Sequence, residues 1–209
     1  MEPEPVPYLK LEVGELQTNV YFFYSVSSRH CFVIDPGAEA EKIIAVIERE
    51  KFLPQAVILT HGHADHVGAV AELLSHYNIP LWLHGADEKE MRSQVNREFA
   101  AMFRIALPPP ASRLLTAGEE LTVGDLCLKV VHSPGHTPGS ILLYGEGLLF
   151  TGDTLFKDDV GRTDLPGGDS GQLQISLGKI KKFPVQTIIL PGHGETSILE
   201  QELKSNPYL

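Results

Sequence analysis

The run Thr60-His61-Gly62-His63-Ala64-Asp65-His66 places three imidazoles and a carboxylate within six consecutive residues. His136, Asp153 and His193 follow, each in a loop just past a stretch that reads as a β-strand. Capping, packing or a lone hydrogen bond can account for a single His, but none of these asks for such density. Imidazole and carboxylate donors with no thiolate among them suit zinc, iron or manganese in a catalytic setting. In an extended segment His61 and His63 point to the same side. Asp65 and His66 continue into the start of a helix, so one short loop presents donors in two directions. Seven donors are too many for one tetrahedral ion and suit two ions sharing a carboxylate. Two ions roughly 3.5–4 Å apart can hold one hydroxide between them, and binding to zinc brings the pKa of water to about 7. The same ions polarise a carbonyl or phosphoryl oxygen, so no protein nucleophile is required. No Ser or Cys stands in a nucleophile-elbow context.

The elements that must position these donors are legible as short apolar runs and amphipathic stretches. Leu9 to Val13, Val20 to Val26 and Cys31 to Ile34 read as strands, the last stopped by the turn signal Asp35-Pro36-Gly37. Ala38 to Glu50 has helical spacing, with Ile43, Ile44 and Ile47 on one side. Ala56 to Leu59 is a buried-type strand that leads straight into the His cluster. Val67 to Tyr77 predicts a helix, Pro80 to Leu83 a strand, and Ala86 to Met102 one helix. Pro108-Pro109-Pro110 is a break inside the domain. Beyond it Glu120 to Val123 and Leu126 to Val131 form a hairpin turning at Gly124-Asp125. Ile141 to Tyr144 and Leu148 to Phe150 form another. Ser170 to Lys182 is a helix and Thr187 to Leu190 a strand. Hairpins mixed with β-helix-β units in both halves predict an α/β chain of two mixed sheets packed face to face, with helices outside and the donors at one edge.

The totals agree with one large domain over residues 1–209, hydrophobic at 43% and able to bury a sizeable core. No apolar run approaches the roughly 20 residues of a membrane span. The acidic, proline-rich Met1-Glu2-Pro3-Glu4-Pro5 has the wrong chemistry for a secretory signal, which predicts a cytosolic (cytoplasmic) protein. Cys31 and Cys127 suggest two buried thiols and no disulfide framework. A formal net charge of −10 argues weakly against nucleic acid as a partner, without excluding a nuclease, because a metal brings its own positive charge.

The run His61 to His66 resembles the HxHxDH signature of the metallo-β-lactamase superfamily. Ser133-Pro134-Gly135-His136-Thr137-Pro138-Gly139-Ser140, Gly152-Asp153-Thr154-Leu155-Phe156 and Pro191-Gly192-His193-Gly194 match its remaining metal motifs in order. The resemblance implies a four-layer αββα sandwich. It implies one metal on His61, His63 and His136, a second on Asp65, His66 and His193, and Asp153 bridging them. Asp65 would also hold the bridging hydroxide for attack. The cofactor implied is two divalent ions, zinc first, with iron or manganese also acceptable.

Within the superfamily the chain looks most like the glyoxalase II-like (hydroxyacylglutathione hydrolase-like) enzymes. That implies hydrolysis of a small thioester such as S-lactoylglutathione. Full-length members carry a C-terminal helical region that grips glutathione. Only Glu195 to Leu209 follow the last donor here, which points to the compact subgroup without that domain. Arg162, in Gly161-Arg162-Thr163-Asp164-Leu165-Pro166-Gly167-Gly168-Asp169, is the candidate contact for an anionic substrate, with Lys157 second. An equally weighted reading pairs Arg162 with Asp164 or Asp169. The runner-up enzyme is a persulfide dioxygenase with one iron on His61, His136 and Asp153, followed by a lactonase or phosphodiesterase of the same fold. β-Lactam hydrolysis is set aside because enzymes that do it are typically exported. His30, His76 and His84 are expected at the surface or in hydrogen bonds. His132 is expected in a supporting role, and Tyr8, Tyr21, Phe22, Phe23 and Tyr24 in the core and sheets.

Overall fold

The computed structural model describes residues 7–209, so the acidic Met1-to-Pro5 segment lies outside the described residues. The first half runs β1 (Tyr8–Val13), β2 (Thr18–Tyr24), β3 (His30–Ile34), α1 (Ala40–Glu50) and β4 (Leu53–Ile58). A single 3-10 turn (Ala64–His66) then leads to α2 (Val70–Tyr77), β5 (Leu81–His84), α3 (Gly85–Glu90), α4 (Gln94–Met102) and β6 (Arg113–Leu115). The second half runs β7 (Glu120–Val123), β8 (Leu126–His132), β9 (Ile141–Gly145), β10 (Leu148–Gly152), β11 (Leu155–Phe156) and β12 (Asp159–Val160). It closes with α5 (Ser170–Ile180), β13 (Ile188–Pro191), β14 (Ser197–Ile198) and α6 (Leu199–Ser205).

One six-stranded sheet has the order β1-β2-β3-β4-β5-β6, the other β14-β13-β10-β9-β8-β7. Alternation along the strands explains the layering. Successive side chains on a strand point to opposite faces, and both faces of these sheets are covered. Val20 and Phe22 of β2 pack outward with Ile43 and Ile47 of α1 and Leu73 of α2. Tyr21 and Phe23 of the same strand point inward and meet Leu148 and Phe150 of β10 and Leu190 of β13. Leu149 of β10 and Leu142 of β9 face the other way, onto Leu173 and Leu177 of α5 and Leu199 of α6. Three apolar clusters between four layers make the αββα sandwich.

The strands also aim the loops. β13 pairs parallel with β10, and β8 and β10 are both antiparallel to β9, so β8, β10 and β13 run the same way. Their C-terminal ends, just before His136, Asp153 and His193, fall on one edge. β4 of the other sheet ends just before His61.

The expected single helix from Ala86 to Met102 is two. His84 caps α3, its Nδ1 accepting from the Ala86 N–H at 3.3 Å. Ser93 starts a new helix, its Oγ accepting from the Asn96 N–H at 3.2 Å. The N–H groups at a helix start need such an acceptor, and Ser supplies it. At the other end, Asn206 Nδ2 donates to the carbonyls of Phe156 and Asp159 and to Glu202, which ties the C-terminal segment to β11 and β12. No helix among the described residues is long and apolar enough to cross a membrane.

Candidate metal centre

Three of the imidazole donors are each oriented by a second contact. The His136 Nδ1–H donates to the Arg162 carbonyl at 2.8 Å, and the His193 Nδ1–H to the Leu16 carbonyl at 3.0 Å. His61 Nδ1 lies 3.2 Å from Thr60 Oγ1. With those nitrogens engaged, the Nε2 atoms turn inward. A partner on one ring nitrogen fixes both the tautomer and the ring direction of the other.

Two groups of three form as a result. His61, His63 and His136 offer donor atoms within 4.8 Å of one another, and so do Asp65, His66 and His193. In the first, His136 Nε2 lies 2.9 Å from His63 Nδ1. In the second, His193 Nε2 lies 3.3 Å from both His66 Nε2 and Asp65 Oδ2. Asp153 sits between them. Its Oδ1 is 3.4 Å from His66 Nε2, and its Oδ2 is 3.6 Å from His136 Nε2 and 3.7 Å from His193 Nε2. The Asp153 separations are longer than good hydrogen bonds and suit donors converging on a common cation. His61 Nε2 and Asp153 Oδ1 are buried with no hydrogen-bond partner in the protein. Buried polar atoms are nearly always satisfied, so the unpaired donors fit a pair of divalent ions.

The electrostatics point the same way. Burial, and then the neighbouring His66, push the His61 imidazole well below its usual range. Burial and the nearby His136 bring His63 down to about 4. Both rings are therefore neutral at pH 7. Burial alone would lower His66, but Asp153, Asp65 and Asp35 outweigh it and hold His66 well above the ordinary range. His193 is raised in the same way, by Asp65 and Asp153 against burial. Burial favours the neutral acid in Asp153 and Asp65, yet the surrounding imidazoles win and keep both carboxyls below the usual range.

Three residues that the motifs did not single out shape the loops. Asp35, at the end of β3, accepts from the Thr60 N–H at 2.7 Å and Thr60 Oγ1 at 2.6 Å, and lies 3.2 Å from His66 Nδ1. It stands next to His61 and His66 as a further possible donor group, but Thr60 already engages both of its oxygens. Asp87 is fully buried and accepts from the Gly62 N–H, the Thr137 hydroxyl and the Gly139 N–H, at 2.7, 2.7 and 2.5 Å. It thus latches the His61–His63 loop to the His136 loop. Asn96 of α4 accepts from the Ala64 N–H at 3.0 Å and donates to the carbonyls of Gly62 and Met91. The signal that could have found Asp35 is its place, directly after a strand, like the donors themselves.

The last donor is held across the sheets. Asn19 Nδ2 and Tyr21 Oη of β2 donate to the Pro191 carbonyl at 2.9 and 2.8 Å, and Asn19 N–H donates to the Gly192 carbonyl. Gly192 must be a glycine, because a Cβ there would collide with Asp153 Oδ1 and His66 Cε1.

A cavity of about 400 Å³ opens over the centre and is reached by His63, Asp65, His136, Asp153 and His193. Arg162 lines it, but its guanidinium is bound through two hydrogen bonds, 2.7 and 2.8 Å, to Asp164. Lys157 lies outside this cavity's lining and pairs with Glu195. The His132 Nε2–H donates to the Pro138 carbonyl at 2.9 Å, and its ring stacks on His84 with centroids 4.3 Å apart.

A profile of the metallo-beta-lactamase superfamily matches residues 13–193. Among curated proteins, the probable metallo-hydrolase YqgX of Bacillus subtilis is 36% identical over 206 residues, covering 96% of each chain. Hydroxyacylglutathione hydrolase GloC of Haemophilus influenzae is 37% identical over 190 residues, covering 87% of this chain and 88% of its own. Among solved structures, the BLEG-1 B3 metallo-beta-lactamase has a TM-score of 0.90 at 37% identity, covering 97% of this chain and 99% of that one. TTHA1623, in a di-iron-bound form, has a TM-score of 0.86 at 36% identity, covering 96% and 100%.

Proposed function

Because the chain belongs to the metallo-beta-lactamase superfamily, we propose that it is a metal-dependent hydrolase of small thioesters or related esters, working with two divalent ions, zinc first. The observation that carries the reading is the pair of donor triads with Asp153 between them, at the floor of a cavity of about 400 Å³. His61, His63 and His136 would hold one ion and Asp65, His66 and His193 the other. When bound, the ions supply an acidified water at neutral pH and an electrophile for the substrate carbonyl. Asp65, partly exposed at the cavity floor, accepts a hydrogen bond from the attacking water and orients it. The water oxygen bonds to the carbonyl carbon, the C–S bond breaks, and the thiolate leaves and takes up a proton. Both cysteines are free thiols, Cys31 buried as expected and Cys127, on β8, partly exposed.

The relative named hydroxyacylglutathione hydrolase supports the thioester class, and S-lactoylglutathione is the first substrate to try. A β-lactam joins the panel because a solved relative is described as a B3 metallo-beta-lactamase. Lactones, a phosphodiester and glutathione persulfide complete it, with metal content measured on the same sample. We expect about two ions per chain and thioester turnover, both lost together in Asp153→Ala. One iron per chain with oxygen uptake on the persulfide would replace this reading with the dioxygenase. Full activity in a metal-depleted Asp153→Ala protein would remove the dinuclear mechanism.

A further inference from the structure

Val95, Phe99 and Met102 stand four and three residues apart on α4, which puts them on one helix face. That face is not turned into the core. Val95 is 46% exposed and Met102 77%, while Asn96 and Ala100 on the adjoining side are buried. Asn96 ties the helix to the ligand loop through Ala64 and Gly62. The bonds that shape the loop therefore also hold an apolar stripe over it. Val95 and Phe99 line the cavity above the centre together with Leu16, Leu165 and Pro166. Phe103 packs on Phe99, with ring centroids 4.7 Å apart, and lines a neighbouring cavity that shares Leu16 and Asp65.

Charge decides what fits. Apart from the imidazoles and the ions they would hold, Arg162 is the one basic group lining this cavity among the described residues, and Asp164 engages it through Nε and Nη2. Glu90 is the acidic group there besides the donors. Among the described residues lining this cavity, a negatively charged substrate arm meets only the ion-paired Arg162 as a basic side chain besides the imidazoles, whereas a hydrocarbon arm meets apolar wall on several sides.

Resting on the hydrolase reading above, we propose that the cavity selects substrates with an apolar arm. The preferred thioester or ester lays an uncharged hydrocarbon group along Leu16, Val95 and Phe99, in preference to a charged arm such as glutathione.

The test is a pair of thioester series on the metal-loaded protein. One extends the acyl chain from acetyl to octanoyl on a constant neutral thiol, and the other extends an alkyl thiol on a constant acetyl group. We expect kcat/KM to rise about two- to fourfold per added methylene in at least one series until the cavity is filled. Phe99→Gln and Val95→Gln should each flatten that slope, and the exposed position of Val95 keeps the second variant folded. Flat profiles in both series, or S-lactoylglutathione turned over better than every longer chain, would overturn the proposal while leaving the hydrolase reading intact. If no ester is cleaved at all, the hydrolase reading falls. Calorimetric binding of straight-chain carboxylates then decides the proposal, which stands if affinity rises with chain length and fails if it does not. A wild-type dimer made monomeric by Val95→Gln, with flat profiles, would assign the stripe to a second copy of the chain and overturn the proposal.

Discussion

His66 and His193 are the two imidazoles that the surrounding carboxylates hold above their ordinary range. The sign of the effect follows. A raised folded pKa stabilises the chain below the unfolded value of about 6.5, and that contribution is lost as pH rises through the folded value. A divalent ion needs both rings neutral, so it competes with those protons. His61 and His63 are already neutral at pH 7 and have no proton to give. Metal uptake by chelator-stripped protein is therefore expected to release protons held by the coupled His66–His193 pair. Calorimetry in buffers of different ionisation enthalpy measures that release, and none at pH 7 would contradict the assignment. The same competition makes the rise in Tm on metal loading small near about pH 5.5 and larger near about pH 8.

At the scale of elements, α4 is clamped to the ligand loop by one side chain. Asn96→Ala removes three hydrogen bonds at a buried position and leaves the Ala64 N–H and the Gly62 and Met91 carbonyls without their partner. A loss of about 2–4 kcal/mol is expected, from the cost of buried unsatisfied groups. Urea unfolding measures it, and an unchanged midpoint would mean that water replaces the amide. Such clamps explain what the sequence did and did not disclose. The donors were legible because their side-chain types and their places after strands carry the chemistry. Asp35, Asp87 and Asn96 were not, because an acid or amide in a turn or helix gives no sign of which distant N–H it will meet. Asp87 joins loops 25 and 52 residues away. Strand and helix types followed from apolar spacing, whereas β6, β11, β12 and β14, two or three residues each, are too short to show a period. The break before α4 was readable from Ser93, three residues ahead of the N–H it caps.

For the whole molecule, the interior between the sheets sets the stability and the metal edge sets the function. Phe150 lies at the middle of that interior, edge-on to Tyr21 at 5.4 Å and to Phe23 at 5.9 Å. Phe150→Ala should cost about 3–5 kcal/mol, the usual range for a buried aromatic truncated in a core. Chemical denaturation checks this, and a cost under about 1 kcal/mol would mean that the sheets close the gap. The bonds from Asn19 and Tyr21 to Pro191 join residues about 170 positions apart, and they carry a consequence for the order of events during synthesis. His66 leaves the ribosome 127 residues ahead of His193. At about 5–20 residues per second, roughly ten seconds separate the two. His136 follows His66 by 70 residues, so the donors of the first triad are all made well before His193, while Asp65 and His66 wait for their third partner until the end of that interval. Loading of the second ion is thus a late step that waits for β13 to dock beside β10 and deliver His193 to β2.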